Sequence, residues 1–360
     1  MIQRRIHIPE SRHALIVRDV ELHGTVRITE IARRLGVNDV TIRRDIIELD
    51  KRGQLTRVHG GAVPRNGSTV EAGRLLVGVV VPNTTANCTA IVRGMEMHAR
   101  SARLKLVVGS SHNQAETEQQ CVKRMLGLGV SGIVIAPTTR ETSIEGTSRW
   151  ATSIPVPLVL LERDLTTVTD GDRLDHVRVD RAHGVTLALD HFRKLGHRQV
   201  ALAIYDSVLI ADQLRATFHA TAERLGMNHR IDATLPDGNG RPDDLTAAIE
   251  KLISECFDNG VRALLVHAET HAGRLVDVAL GLGVRIPEEL AIISYDDIDA
   301  EFAAVPLTSV SHPNAELGRE ALTLLVNRID AAPRPRTPRY IHLLPVLTVR
   351  NSCGAVAADS

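Results

Sequence analysis

The sequence lacks any apolar run that could cross a membrane. Its longest uncharged apolar stretch covers residues 75–82, whereas a spanning helix needs about 20 such residues. Residues 1–13 mix Arg and His with apolar residues, which is not the pattern of an export signal. We therefore expect a soluble chain that stays in the cytoplasm, where it would be associated with the nucleoid if it binds DNA.

Cysteine is scarce as well. The four cysteines lie at positions 88, 121, 256 and 353. None of them forms the close pair that is typical of zinc or redox motifs. We therefore predict free thiols in a reducing compartment and no metal site.

The chain also has no net charge, with 43 basic and 43 acidic residues, but the charge is unevenly distributed. Residues 1–70 contain 13 basic and 8 acidic residues, which leaves 30 basic and 35 acidic residues for the remainder. A basic head on an acidic body is expected when one end of a protein binds a polyanion.

The head has the pattern of three helices followed by a hairpin. Apolar residues recur at helical spacing over 11–22, 29–35 and 39–49. A glycine turn separates the second helix from the third, which is helix-turn-helix spacing. Residues 54–63 form a strand candidate that runs into a Gly-Gly turn, and this predicts a small wing beside the third helix.

Within the third helix, the sequence divides core positions from exposed ones. Asn38 is a suitable N-cap. We expect Val40, Ile42, Ile46 and Leu49 to face the core of the head, which leaves the polar residues of the helix for other contacts.

Residues 10–63 resemble the winged helix-turn-helix of DeoR-type bacterial repressors. The likeness is carried by TIRRD at 41–45 and HGGA at 59–62. It implies that the third helix enters the major groove of DNA and that the wing lies beside it. The DNA-binding residues it implies are Asn38, Thr41, Arg43, Arg44, His59 and Gly60.

The spacing within the motif divides these roles. Thr41 and Arg44 are three residues apart and share one face, so both can reach base edges. Arg43 is rotated by about 100° and suits a flanking phosphate. Asp45 would be repelled by phosphate, and we expect it to pair with a neighbouring arginine inside the head.

Beyond residue 75 the pattern changes to that of an α/β protein. Short continuous apolar runs alternate with stretches of helical length, which is typical of strands buried on both faces of a parallel sheet. Residues 64–74 contain turn formers without apolar periodicity and are predicted to be a linker. We therefore predict a DNA-binding domain at 1–63, a linker at 64–74 and a doubly wound body at 75–353.

Residues 75–353 resemble the effector domain of LacI/GalR-type repressors and periplasmic sugar-binding proteins. The matching stretches include LGHR at 195–198, IPEEL at 286–290 and PLTSV at 306–310. The resemblance implies a two-lobed, periplasmic-binding-protein-like fold of doubly wound parallel sheets that binds an effector and dimerises. The expected lobe 1 covers about 75–178 and 308–335, and the expected lobe 2 covers about 179–307 and 336–353.

Polar loops after the body strands supply the candidate effector-binding residues. Ligands of doubly wound folds bind at the carboxyl ends of the strands. There, an adjacent carboxylate and guanidinium can accept from and donate to neighbouring hydroxyl groups. The residues that match the family's ligand-binding positions are Asn87, Cys88, Glu162, Arg163, Glu269, Asp296 and His312. Aromatic residues make up only 2% of the chain, which favours a small polyol or monosaccharide over a large stacked glycoside.

The resemblance implies a sequence-specific transcription regulator, a repressor that binds double-stranded operator DNA as a homodimer. A small effector, a sugar or polyol, would control it, without cofactor, catalytic residues or contact with a membrane. One alternative is a metabolic enzyme of doubly wound fold with a regulatory DNA-binding head. Its only nucleotide-like motif, G-x-G-x-x-G at 127–132, lies after a helix and before a strand, the reverse of a dinucleotide site. A transport-type binding protein is disfavoured by the basic head and the missing export pattern.

Overall fold

The structure is a computed structural model. It describes residues 12–13, 15–17, 19–20, 26–58, 60–63, 75–138, 144–163, 165, 174–205, 211–236, 242–267, 269–331 and 337–354. The predicted linker at 64–74 and the wing residue His59 lie outside the described residues.

The head folds as predicted around its third helix. Its elements are β1 (Val26–Arg27), α1 (Ile28–Leu35), α2 (Asp39–Lys51), β2 (Thr56–Val58) and β3 (Gly61–Val63). The three strands form an antiparallel sheet in the order β1-β3-β2, so the wing is confirmed. The short strand β1 was not predicted from the sequence.

The core of the head corrects one prediction about α2. Ile42, Ile46 and Leu49 are fully buried, but Val40 is 56% exposed. Each helical residue advances about 100° around the axis, so residue 40 lies about 200° from residue 42, whereas residues 42, 46 and 49 recur on one face. Val40 therefore lies on the exposed side of the helix, and our expectation that it faces the core was wrong.

The body contains the predicted alternation of strands and helices. In chain order its strands are β4 (Leu75–Val81), β5 (Leu104–Ser110), β6 (Gly132–Ile135), β7 (Leu158–Leu161), β8 (Asp175–Val179), β9 (Ala201–Tyr205), β10 (Asp232–Leu235), β11 (Ala263–His267), β12 (Ala291–Ser294), β13 (Thr308–Ser311), β14 (Tyr340–Leu343) and β15 (Val346–Thr348). Its helices are α3 (Ala86–Ser101), α4 (Ala115–Gly127), α5 (Ile144–Thr152), α6 (Arg181–Lys194), α7 (Ala211–Arg224), α8 (Pro242–Asp258), α9 (Glu269–Gly281) and α10 (Asn314–Ala331).

These strands form two separate six-stranded sheets, one for each lobe. The lobe 1 sheet has the order β14-β8-β7-β6-β4-β5 and is parallel throughout. The lobe 2 sheet has the order β10-β9-β11-β12-β13-β15, in which only β15 is antiparallel to its neighbour. Central strands such as β6, β7 and β12 are buried along their whole length, as expected for sheets covered on both faces.

The sheet memberships correct the expected lobe boundaries. Strand β13, expected in lobe 1, belongs to the lobe 2 sheet, and β14, expected in lobe 2, belongs to the lobe 1 sheet. The reason is pairing: β13 lies beside β12 and β15, and β14 lies beside β8. The chain therefore passes between the lobes at 179–181, 311–314 and 343–346.

Two helices of lobe 1, α3 and α10, pack unusually close together. A Cβ atom at Gly94 would lie 2.0 Å from the carbonyl oxygen of Ala315, and one at Gly318 would lie 2.1 Å from that of Ile91. Only glycine permits this backbone approach. The contact fixes the relative position of the first turns of both helices.

No helix in the described ranges is both long and apolar enough to span a bilayer. All four cysteines are free thiols, as predicted. Among the described residues, no group of three or more His, Cys, Asp or Glu side chains is arranged to hold a metal ion.

We predict that Gly94→Ala lowers the free energy of unfolding by about 1–3 kcal/mol, because the added methyl group overpacks the contact between α3 and α10. Gly273→Ala is the matched control, since a Cβ atom in the middle of α9 meets no atom within 4 Å and alanine there should stabilise by about 0.5–1 kcal/mol. Urea unfolding of the two variants tests this. Equal stabilities would contradict the close helix contact.

Candidate functional site

The first turn of α2 is fixed by its N-cap. The side-chain oxygen of Asn38 accepts a hydrogen bond from the backbone N–H of Val40 at 2.9 Å. This is the capping role expected of asparagine. It leaves the side-chain NH₂ of the exposed Asn38 available for a contact outside the protein.

The exposed face of α2 carries positive charge without internal compensation. Arg43 and Arg44 are exposed, and neither makes a hydrogen bond or ion pair with the residues that the structure describes. Other arginines of the head are paired, such as Arg34 with Asp19 and Arg52 with Glu48. The face of α2 that the sequence assigns to DNA is thus the one whose cations are free.

A buried ion pair holds α2 against the first helix. Asp45 is only 5% exposed and accepts hydrogen bonds from Arg12 Nε at 2.5 Å and Nη2 at 3.0 Å. His13 Nε2 lies 3.1 Å from the same carboxylate, and the hydrogen bond to Asp45 raises the pKa of Arg12. The expected internal role of Asp45 is confirmed, although its partner is Arg12 rather than Arg43 or Arg44. Asp45 therefore sets the rotation of α2 that exposes Arg43 and Arg44.

The wing lies beside this helix. Gly60 is in the left-handed region with φ +79°, which glycine adopts without strain. Its carbonyl oxygen accepts from the backbone N–H of Ile28 at 3.0 Å, which ties the turn to the start of α1.

The second candidate site is a cavity of about 320 Å³ between the lobes. Asn87 and Cys88 reach it from the first turn of α3, and Glu162 and Arg163 reach it from the end of β7. Asp296 and His312 line it from the opposite side. The structure thus places six of the seven predicted effector-binding residues around one cavity. Glu269 begins α9, and its side chain lies outside the described atoms.

The cavity wall includes four polar or aromatic residues that the sequence analysis missed: Arg181, Tyr205, His267 and Asn314. Arg181, Tyr205 and His267 lie at or just beyond the ends of β8, β9 and β11. The rule that ligands bind at the carboxyl ends of parallel strands could have found them. Tyr205 also supplies an aromatic ring to a site where the sequence predicted none.

Glu162 occupies a strained position at the centre of the wall. Its φ of +60° is unusual for a residue with a side chain, and such strain is frequent at functional sites. Its carboxylate accepts from the backbone N–H of Val179 at 3.0 Å and pairs with Arg181. The geometry holds Glu162 at the first crossing between the lobes.

Asp296 connects the lobes on the other side of the cavity. Its carboxylate accepts from Asn87 Nδ2 at 3.2 Å and lies 3.2 Å from His312 Nδ1. Asn87 in turn accepts from Asn314 Nδ2 at 2.7 Å. Burial raises the pKa of the Asp296 carboxyl, but the hydrogen bonds from His312 and Asn87 contribute to lowering it below its usual value.

His267 is neutral at physiological pH. Burial lowers its pKa from 6.5 to about 4, although the nearby Asp296 carboxylate acts in the opposite direction. Its Nε2 atom lies 3.9 Å from Asp296, and its Nδ1 atom is buried without a hydrogen-bond partner. A neutral imidazole beside a carboxylate can donate or accept a hydrogen bond at the cavity.

We predict that His267 makes stability pH-dependent between about pH 6.5 and 4. In the unfolded chain the imidazole takes up a proton near 6.5, whereas in the fold it does so only near 4. The unfolded state therefore binds more protons in this window, and the free energy of unfolding falls as the pH is lowered.

Chemical unfolding at several pH values checks this prediction. His267→Asn should flatten the dependence, whereas His112→Asn at an exposed position should leave it unchanged. The same slope in His267→Asn and the wild type would show that the buried imidazole is not its source.

Comparison with known proteins agrees with both parts of the structure. Residues 12–66 match the DeoR-like helix-turn-helix domain, and residues 189–353 match the periplasmic binding protein-like domain. The chain is 23% identical to the arabinose metabolism transcriptional repressor of Geobacillus stearothermophilus, over 90% of this chain and 89% of the relative. It is also 23% identical to the repressor CytR of Escherichia coli, over 84% of this chain and 89% of the relative.

The fold has close relatives among solved structures. The lac repressor dimer bound to operator and an anti-inducer superimposes with a TM-score of 0.63 at 20% identity, covering 79% of this chain and 96% of that one. The chain therefore combines a DeoR-like helix-turn-helix domain with a body that has the fold of the LacI-type repressors.

Proposed function

We propose that this chain is a repressor whose binding to operator DNA is controlled by a small effector in the interlobe cavity. The observation that carries the proposal is the pairing of two features in one chain. A capped helix exposes free arginines at one end, and polar residues from both lobes enclose a cavity at the other.

The proposed DNA contact is made by α2 and the wing. A major groove admits one helix, and the fixed N-terminus of α2 presents Thr41 and Arg44 toward base edges and Arg43 toward a phosphate. Because the head is basic and the body acidic, the long-range field favours the head as the part that approaches DNA. Asn38 and Gly60 flank this surface, as does His59 in the sequence.

A homodimer is the assembly we propose for DNA binding. One helix in one groove gives limited specificity, and two copies related by a twofold axis read the two halves of an inverted repeat. A repressor of the same fold has been seen as a dimer on its operator.

The proposed effector is a sugar or a sugar derivative. The cavity volume of about 320 Å³ lies at the lower end of the range for small-molecule sites. Its carboxylates, guanidinium groups and imidazoles offer both acceptors and donors for hydroxyl groups. The relatives include repressors named for arabinose metabolism and for the ribose operon, which supports this ligand class.

Effector binding would act through the angle between the lobes. Residues on both lobes contact the cavity, so a ligand held by both stabilises one lobe arrangement over another. The shift in population is limited by the difference in ligand affinity between the two arrangements. In a dimer, a change in that angle alters the spacing of the two heads.

We predict that Arg44→Ala lowers affinity for the preferred duplex at least tenfold and reduces discrimination against random DNA, because a base contact is worth about 1–3 kcal/mol. Arg43→Ala should weaken binding to both duplexes and reduce the slope of log affinity against log salt by about 0.9, as expected for one lost phosphate contact. Fluorescence anisotropy at several salt concentrations measures both effects.

Arg124→Ala is the matched control for these variants, because it removes an exposed arginine from α4 in the body. It should leave affinity and salt slope unchanged. If Arg43→Ala and Arg44→Ala behave like Arg124→Ala, then α2 does not contact the DNA.

We predict that Glu162→Ala abolishes the response of DNA binding to a pool of monosaccharides, polyols and sugar acids. The substitution removes the carboxylate that pairs with Arg181 at the cavity. Glu145→Ala is the control, because it removes the carboxylate of an exposed pair with Arg149. A normal response of Glu162→Ala to the pool would place the effector site elsewhere.

A further inference from the structure

The charges in the interlobe cavity leave one cation without a partner. Arg163 lines the cavity, and its backbone N–H donates to Leu161. Within the described residues, its guanidinium makes no hydrogen bond and no ion pair. Burial lowers the pKa of Arg163, and the positive charge of Arg181 lowers it further.

The carboxylates around Arg163 are engaged elsewhere. Glu162 is bound by Arg181 and by the backbone N–H of Val179. Glu118 accepts from the backbone N–H of Thr138 at 2.8 Å. Asp296, on the opposite wall, is bound by Asn87 and His312. The protein therefore supplies the cavity with a partly buried guanidinium but no carboxylate in contact with it.

An unpaired buried charge is unfavourable, and a guanidinium offers five N–H donors in a planar fork. Ligand hydroxyl groups could accept some of these hydrogen bonds, but only an anionic group would also neutralise the charge. Carboxylates and phosphates match the fork with two parallel hydrogen bonds.

We propose, on the basis of the function proposed above, that the effector carries an acidic group that binds Arg163. The group is a carboxylate or a phosphate on a small polyhydroxylated molecule. The hydroxyl groups of the same ligand would bind Glu162 and Asp296, whose carboxylates accept hydrogen bonds.

Two further atoms of the cavity-lining residues fit such a ligand. The Nδ1 atom of His267 and the Nε2 atom of His312 are buried and have no hydrogen-bond partner. Both histidines lie beside Asp296, away from the Glu162–Arg181 pair along the wall. The cavity thus has a cationic part at Arg163 and a part suited to hydroxyl groups near Asp296.

Thermal unfolding of the full chain with matched ligand pairs tests this proposal. The probes are aldonic acids, uronic acids and phosphate esters of pentoses and hexoses at millimolar concentration, each compared with its neutral parent sugar or polyol. At least one acid should raise the melting temperature by about 3 °C or more, while its neutral parent has a smaller effect. The carboxylate and phosphate series identify which anion is bound.

Variants of Arg163 separate charge from shape. Arg163→Gln should abolish the shift caused by the acid, and Arg163→Lys should retain part of it because the charge remains. Without ligand, Arg163→Gln should melt no lower than the wild type, since it removes an unpaired charge, and this also shows that the variant folds. Arg124→Gln is the control and should respond to the acid as the wild type does.

Three outcomes would overturn the inference. If a neutral sugar gives the larger shift, the effector site stands but the acidic group does not. If Arg163→Gln responds to the acid like the wild type, Arg163 is not its binding partner. If no compound of either series raises the melting temperature, both the acidic group and the sugar-derived effector proposed above are wrong.

A second, independent observation concerns the exposed Val40 in the first turn of α2. It is 56% exposed, whereas Ile42, Ile46 and Leu49 of the same helix are fully buried. Residues three and four positions apart share a helix face, so Val40 lies on the face of Arg43 and Arg44. An apolar side chain among free cations on a DNA-reading surface matches the one apolar group that bases present in the major groove, the 5-methyl group of thymine.

We infer that Val40 packs against a thymine methyl group in the operator and so contributes to sequence specificity. This also rests on the proposed DNA-binding function. Removing that methyl group from the DNA should weaken binding by about fourfold, which corresponds to the burial of one such group.

The test begins with selection of bound sequences from a random duplex library by the full chain. Each thymine of the selected site is then replaced singly by deoxyuridine, which lacks the methyl group. One replacement should weaken binding of the wild type about fourfold and leave Val40→Ala unaffected, while Arg44→Ala keeps the sensitivity. The contact is ruled out if no replacement weakens the wild type or if Val40→Ala is equally sensitive. If no sequence is enriched, specific DNA binding itself is wrong.

Discussion

The hydrogen bond between Asn87 and Asp296 joins the two lobes at the cavity, and the control of DNA binding by an effector depends on it. Asn87 belongs to α3 of lobe 1, and Asp296 follows β12 of lobe 2. The bond extends through Asn314 and His312, which lie at the second crossing between the lobes. A ligand that binds these side chains must act on the contact that holds the lobes together.

The close packing of α3 against α10 gives this contact its precision. Because Gly94 and Gly318 let the two backbones approach, the first turns of both helices are fixed relative to each other. Asn87 and Asn314 lie in those turns. The helix pair thus presents a rigid polar edge to Asp296, and lobe movement is concentrated on the lobe 2 side of the cavity.

The head depends on a comparable internal contact. The buried Asp45 is bound by Arg12 and His13, so α2 is fixed against the first helix while its basic face stays free. The TIRRD motif therefore contains both parts of the design: arginines for the outside and an aspartate for the inside. The head and the cavity share one principle, in which paired buried charges position unpaired ones.

Much of this arrangement could be predicted from the sequence. The apolar runs gave the parallel strands, the glycine turn gave the helix-turn-helix, and six cavity residues were found from loops that follow strands. Sheet membership of β13 and β14 could not be predicted, because a short strand has the same local pattern in either lobe and only its pairing decides. Val40 was assigned to the core from its hydrophobicity alone, although helical periodicity already placed it opposite Ile42.

The charge balance of the cavity was also beyond the sequence. The sequence showed Glu162 beside Arg163 and suggested that the two act together. In the fold, the strained backbone of Glu162 turns its carboxylate toward Arg181 instead, and Arg163 is left for a ligand. Adjacent residues in a chain need not be partners in a site, because backbone conformation decides where each side chain reaches.

The central claim is that one chain reads DNA and senses a small molecule. Fluorescence anisotropy of the full chain on duplex from its own upstream region, with random duplex as reference, tests it most directly when repeated with a pool of sugars, polyols and sugar acids. The account predicts a preference for the upstream duplex that changes when the pool is added. Preferential binding that is indifferent to every compound in the pool would contradict control by an effector of this class.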